Sequence, residues 1–230
     1  MELLQCNRKE GGYHYGYVDG EENLEVLFEK FRQVSGMYFP TVSKRSREND
    51  GGSHFSVARP LFSLSGKYIN IEFSGMPFTS EATTDKTCMF GKDTKAKSKQ
   101  AKKDRVALQP MVYNEHGYNA VSSTKKKPRH QVTKKKDCPA QLVVKEVIMY
   151  PEYSLDPKTF NLASLRKKKE MKQNKLNLLT SALKQGQIAS FKRFYVLLPS
   201  NEAHQNHEVG NLGDLLAHPI HKKSRKKIMI

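Results

Sequence analysis

Between Gly91 and Lys136 the chain runs through a stretch rich in lysine, serine, threonine and glutamine and poor in apolar side chains. Such a stretch buries too little nonpolar surface to offset the entropy lost on ordering it. It reads as a long mobile loop, so a folded unit must be assembled from the apolar segments on its two sides.

Those segments have distinct periods. Residues 21–35 carry Leu24, Leu27, Phe28, Phe31 and Val34 on one face of an amphipathic helix. Glu21 and Glu22 suit its first turn and Gly36 its end, and the apolar face is expected to pack on the core. Residues 68–73 alternate, which predicts a strand with Ile69, Ile71 and Phe73 on one face. A turn over residues 75–78 follows, and Cys88-Met89-Phe90 begins another extended piece. Residues 141–150 predict a strand in which Leu142, Val144 and Ile148 face one way and Val143 and Val147 the other. Residues 151–153 end it. Residues 159–185 have helical composition up to Gly186, with Leu162, Leu165, Leu176, Leu179 and Leu183 as a patchy apolar face. Residues 191–198 form a last strand closed by Pro199. The Gly- and Tyr-rich start, residues 1–20, reads as irregular, residues 43–54 as a linker, and residues 211–230 as a basic tail. The expected fold class is α+β: a small antiparallel sheet with flanking helices and long basic disordered loops, in one domain over residues 21–210.

Charge narrows the function. The chain carries +17, and the excess is segregated. Residues 1–60 hold eight basic and nine acidic side chains, a net of −1, whereas residues 86–136 hold fifteen and three, a net of +12. Residues 158–193 hold ten and one, a net of +9, and residues 222–227 add +5. Blocks of this kind attract polyanions by releasing condensed counterions. Lys92, Lys95, Lys97, Lys99, Lys102, Lys103, Lys125, Lys126, Lys127, Arg129, Lys134, Lys135 and Lys136 suit contacts to phosphate, as do Arg166, Lys167, Lys168 and Lys169. Lys222, Lys223, Arg225, Lys226 and Lys227 read as a nuclear import signal bound by an import receptor. The aromatics fall mostly in the predicted strands and helices rather than among the lysines, which favours double-stranded DNA over single-stranded RNA. No apolar run reaches the ~20 residues of a membrane span, and the first residues lack the pattern of a signal peptide. No phosphate-binding loop, dinucleotide fingerprint or hydrolase motif is present, and the carboxylates are scattered, so catalysis and a small-molecule substrate are not expected.

Cys88 and Cys138 stand at strand-like positions, and His204-Gln205-Asn206-His207 follows the last strand. Two thiolates and two imidazoles make a common closed shell for structural zinc. A short sheet with little apolar surface would gain folding free energy from such a site. Spacing alone also leaves open two unpaired intracellular thiols and a solvated polar turn. His130 lies in a basic loop and is the weaker ligand candidate; Cys6, in the irregular start, is left out.

Several segments together resemble the calcium-responsive transcription factor family: residues 71–78 (IEFSGMPF), Cys88 followed by Gly91-Lys92-Asp93, residues 136–142 (KDCPAQL), residues 150–153 (YPEY), residues 195–199 (YVLLP), and His204 with His207. Asp137 stands where that pattern has glycine before Cys-Pro-Ala. The family is similar in plan to the zinc-chelating folds of WRKY, glial-cells-missing and FLYWCH proteins. The resemblance implies that Cys88, Cys138, His204 and His207 bind Zn2+. It also implies that the chain is a sequence-specific DNA-binding regulator of transcription in the nucleus. By that analogy Lys92 and its neighbours, or the strand from Gln141 to Lys145, would enter a DNA groove. A transposon-derived, non-catalytic DNA-binding protein and an RNA-binding protein are the alternatives.

Overall fold

A computed structural model describes residues 4–46, 59–93, 134–186 and 188–209, with the side chains of Cys6 and Asn7 excepted. Two tight glycines start the architecture. Gly11 and Gly12 both take positive φ, 57° and 79°, and close a two-residue hairpin between β1 (Gln5–Glu10) and β2 (Tyr13–Asp19). Paired positive φ values match the right-handed twist of the flanking strands. The start of the chain is therefore a hairpin, not the irregular segment expected from its glycine and tyrosine content.

Helix α1 (Glu21–Ser35) follows as predicted and ends at Gly36. Leu27 and Phe31 are buried, whereas Val34, assigned by periodicity to the same face, is 86% exposed. β3 (Thr41–Ser46) takes up part of the expected linker. β4 (Phe78–Thr87) occupies the interval between the predicted turn and Cys88. Its alternation is disguised because most outward and inward positions are threonine or charged, yet β-branched threonines suit a pleated surface. β5 (Gln141–Met149) and β6 (Phe191–Pro199) form where expected. The predicted long helix is broken at Ala163-Ser164 into α2 (Pro157–Leu162) and α3 (Leu165–Gln185). Asp156 and Ser164 are the N-caps of the two helices: each side chain accepts from backbone N–H groups of its own first turn, so α3 is started afresh at Ser164.

The strands make one antiparallel sheet in the order β1-β2-β6-β5-β4-β3. One face carries α1 and the larger core, including Leu27, Phe31, Leu142, Val144, Val196 and Leu198. The other is covered by residues 61–76, whose Ile69 and Ile71 pack on Val143, Val147, Met149 and Tyr195. The expected strand over 68–73 does not join the sheet. Its ladder contact is the single bridge Leu64↔Ile71, and Phe73 turns away to stack on Phe160 at 4.9 Å. Alternation here marks a strap with one buried face. A third cluster, Phe62, Leu155 and Phe160 with Met171 and Leu176, docks α2 and α3. Of the predicted apolar face on these helices, Leu179 is fully buried, but Leu162 and Leu165 are 89% and 85% exposed. No helix among the described residues is long and apolar enough to cross a membrane.

Candidate metal centre

The sheet order determines which ends meet. β4 and β5 are antiparallel with Thr87 opposite Gln141, so the end of β4 lies beside the start of β5. β6 runs antiparallel to β5 with Leu197 opposite Val143, which brings the end of β6 to the same place. Cys88 is the first residue after β4, Cys138 lies three residues before β5, and the two histidines follow β6. Four residues from three distant parts of the chain thus converge at one end of the sheet.

Local backbone holds each of the four residues. Cys88 N–H donates to the Ala140 carbonyl at 3.0 Å and Cys138 N–H to the Phe90 carbonyl at 3.1 Å. Gly91 N–H donates back to Cys88 C=O at 2.7 Å, and an ideal Cβ on Gly91 would lie 2.9 Å from that oxygen. Only glycine fits this turn without moving it. Asp137 takes φ 57° and Asn206 takes φ 68°. Both sit in the left-handed region, which Asp and Asn tolerate better than most side chains. The first explains why glycine suits the position before Cys-Pro-Ala, and the second folds His204 and His207 back on one point. The hairpin glycines contribute as well: Gly12 C=O accepts from both Ser200 N–H and Ser200 Oγ at 2.8 Å. That contact anchors the turn over Asn201–Ala203 which leads into His204.

The four donor atoms all lie within 4.8 Å of one another. Cys88 Sγ is 3.4 Å from His207 Nε2, Cys138 Sγ is 3.6 Å from His204 Nδ1, and the two nitrogens are 3.3 Å apart. A tetrahedral cation with ordinary bond lengths would set about 3.5 Å between sulfur and nitrogen and about 3.3 Å between two nitrogens. The residues therefore fit a metal ion.

Electrostatics agree. Burial pushes the Cys88 thiol up to about 12, and neighbouring Cys138 adds to the shift. Burial also pushes His204 down to about 4, with His207 beside it, so its ring stays neutral and keeps a lone pair. His207 Nδ1 donates to the Glu208 carbonyl at 2.9 Å, which leaves Nε2 as the acceptor facing the cluster. Lone pairs crowded in a buried space are costly unless a cation gathers them. Phe39 and Phe90 wall the site against the rings of His204 and His207, at 5.8 and 4.5 Å.

The chain matches the model of the family described as amyotrophic lateral sclerosis 2 chromosomal region candidate gene 8, over residues 55–229. It belongs to that family. The family is related to the calcium-responsive transcription factors, the group resembled by the segments around Cys88, Cys138 and the histidine pair. Within the family's span lie all four clustered residues. No curated protein and no solved structure matches the chain.

The basic residues divide into three groups. Lys92, Lys134, Lys135 and Lys136 lie on the chain segments that carry the cysteines. Lys136 Nζ sits 5.2 Å from the centre of the Phe90 ring, and the Lys135 charge is felt at Cys88. Arg166, Lys167, Lys168 and Lys169 open α3, beyond the far end of β5, which spans roughly 27 Å at the usual rise per residue. Lys168 also covers the Phe160 ring at 5.6 Å, so part of that cluster serves packing. Lys95, Lys97, Lys99, Lys102, Lys103, Lys125, Lys126, Lys127 and Arg129 lie outside the described residues, as do His130, Lys222, Lys223, Arg225, Lys226 and Lys227.

One expectation about groove entry changes. The strand from Gln141 to Lys145 is part of β5, which is hydrogen-bonded on both sides by β4 and β6. Its edges are not available to DNA. The sheet's own edge beside the metal end is β3, where Lys44 and Arg45 are exposed and the Arg45 guanidinium is held by Asp85 at 3.0 Å. Sequence reading missed this pair because it lay in what looked like a linker; the signal was the alternating Thr41, Ser43 and Arg45.

Proposed function

We propose that this chain is a DNA-binding regulator of transcription, built on a structural zinc ion and acting in the nucleus. The observation that carries the reading is the convergence of Cys88, Cys138, His204 and His207 at tetrahedral spacing beside Lys92 and Lys134–Lys136. Zinc suits two sulfur and two nitrogen donors in a closed shell, and closed shells are structural. With no open position for water or substrate, the site organises the end of the sheet and does not catalyse. Membership of a family related to calcium-responsive transcription factors supports the nuclear role. The plan, a small antiparallel sheet with two cysteines and a closing histidine pair, parallels that of WRKY, glial-cells-missing and FLYWCH domains.

In this reading the lysines around the zinc contact phosphates and fix the protein on duplex DNA. The β3–β4 ribbon at the sheet edge has the width that a major groove admits. Arg45, pre-oriented by Asp85, is its candidate for reading a base edge. The basic residues 222–227 would engage an import receptor.

The test pairs metal analysis with DNA binding. Elemental analysis of the untagged chain should give one zinc per chain, absent from a Cys138→Ala/His207→Ala variant. Wild-type protein should select sequences from a random duplex library, with affinity falling steeply as salt rises. Lys134→Ala should weaken all duplexes alike, whereas Arg45→Ala should relax the selected motif. Zinc that persists in the double variant would sink the site, and a library yielding no motif would sink sequence-specific regulation.

A further inference from the structure

The corner where α2 gives way to α3 carries two leucines that the core does not use. Leu162 ends α2 and Leu165 begins α3, and they are 89% and 85% exposed. Ala163 and Ser164 between them are extended, with ψ of 148° and 159°. Three residues of chain hold the two Cα atoms at most roughly 11 Å apart. The packing of the helices does not need this pair. Phe160, Met171 and Leu176 anchor α2 and α3 on Phe62 and Leu155, and Leu179 is fully buried.

A lone exposed leucine is ordinary on a protein surface, but this pair is surrounded by cations. Residues 158–175 hold seven basic side chains and one acidic. Lys168 and Lys172 lie 5.6 and 4.0 Å from the centres of the Phe160 and Phe73 rings, so those two serve packing. Arg166, Lys167 and Lys169 are exposed and form no salt bridge among the described residues. The charge calls for a polyanion, and the leucines narrow which one. A helix that binds a bilayer surface lies flat on it with a continuous apolar face. α3 turns that face inward onto the core. Its other exposed leucine, Leu178 at 59%, lies roughly 20 Å further along the helix. Two leucines at a corner, with arginine and lysine beside them, instead match a wedge for the minor groove. Apolar side chains part a base step there while cations hold the neighbouring phosphates.

We infer that Leu162 and Leu165 form a wedge that enters the minor groove of duplex DNA and kinks it by ~20–90°. The inference rests on the DNA-binding reading of the metal end and adds a second contact to it. α3 begins beyond the far end of β5 from the metal centre, and β5 spans roughly 27 Å. A duplex that touches both ends therefore covers at least about eight base pairs. The kink costs stacking at one base step, which the extra contact between duplex and protein offsets.

The experiment uses the full metal-loaded chain and a duplex of about 120 base pairs, shorter than the ~150-base-pair persistence length, which ligase closes into circles poorly unless it is bent. The variant is Leu162→Ser/Leu165→Ser, and retained metal content and far-ultraviolet circular dichroism show that it is folded. Wild-type chain should raise the yield of circles by about tenfold or more. The double variant should return the yield to the protein-free level while still shifting the duplex in a gel, because its phosphate contacts remain. Lys134→Ala should need more protein yet reach the wild-type yield at saturation. Binding without enhanced circularisation, or equal circularisation by the double variant, overturns the wedge and leaves the DNA-binding reading standing. A duplex that wild-type chain does not shift at all removes both. Binding to phosphatidylserine vesicles that requires both leucines, with the yield of circles unchanged in the double variant, assigns the corner to a lipid surface and likewise overturns the wedge.

Discussion

Adding one methyl group at Gly91 should damage the metal centre without touching a ligand. An ideal Cβ there would lie 2.9 Å from the Cys88 carbonyl oxygen and 3.5 Å from that of Cys138. Ordinary contact needs about 3.4 Å, so the Cys88 turn must retreat by roughly 0.5 Å. Metal–ligand distances tolerate about 0.2 Å, less than half of that displacement. Neither backbone oxygen can swing away, because each belongs to a segment tied into the sheet: Cys88 N–H bonds to Ala140, and Cys138 N–H bonds to Phe90. Displacing a supporting group of this kind costs about 10- to 100-fold in metal affinity, equivalent to about 1.4–2.7 kcal/mol. Gly91→Ala should therefore lose zinc to a chromophoric chelator at a concentration at least tenfold lower than the wild type does. Far-ultraviolet circular dichroism of the metal-loaded variant should still report the sheet. Gly186→Ala is the control: its φ of 84° strains any side chain, but it lies at the end of α3 with nothing within 4 Å of the added atom, so metal affinity should not move. If Gly91→Ala holds zinc as tightly as the wild type, the close backbone approach does not shape the site.

Three other outcomes are expected. Asp137→Gly should relieve a left-handed backbone at φ 57° and raise the stability of the loaded protein by about 1 kcal/mol, while Asp137→Val should lower it; thermal melts at saturating zinc would show either sign. Because burial lifts the metal-free Cys88 thiol to about 12, that proton is still bound at neutral pH and must leave on loading. Apparent zinc affinity should therefore rise by about tenfold or more per pH unit between pH 6 and 8, and a flat profile would contradict the buried thiol. On α3, Leu179→Ala should cost about 2–5 kcal/mol in chemical denaturation because the side chain is fully buried, whereas Leu165→Ser, at a site 85% exposed, should stay within about 0.5 kcal/mol. Equal effects would mean that α3 does not dock through the face that holds Leu179.

Local chemistry made several parts of this protein legible in its sequence. The spacing of Leu24, Leu27 and Phe31 located α1 because a helical period survives without tertiary help. The apolar content of residues 141–149 and 191–199 located the two central strands, which are buried on both faces. Cys88, Cys138, His204 and His207 were identifiable as residue types suited to one metal, although their spacing could not say that they meet. Other elements were hidden for physical reasons. β4 is mostly threonine and charge, because it lies next to the edge strand and has less core to face. Residues 68–73 alternate as a strand does, but alternation reports one buried face and not a hydrogen-bonded neighbour. Gly11-Gly12 carried a hairpin signal that the surrounding tyrosines obscured.

What remained for tertiary structure was the joining of distant ends. Cys88 and His207 are 119 residues apart, yet their donor atoms stand 3.4 Å from each other. No local preference encodes that distance. It follows from strand order: three antiparallel neighbours, β4, β5 and β6, necessarily bring two strand ends and one strand start to the same side of the sheet. The sequence alone settled which residues had the chemistry to hold a metal. Only the pairing of the strands decided that they would face one another, because contacts between remote segments depend on the whole chain closing at once.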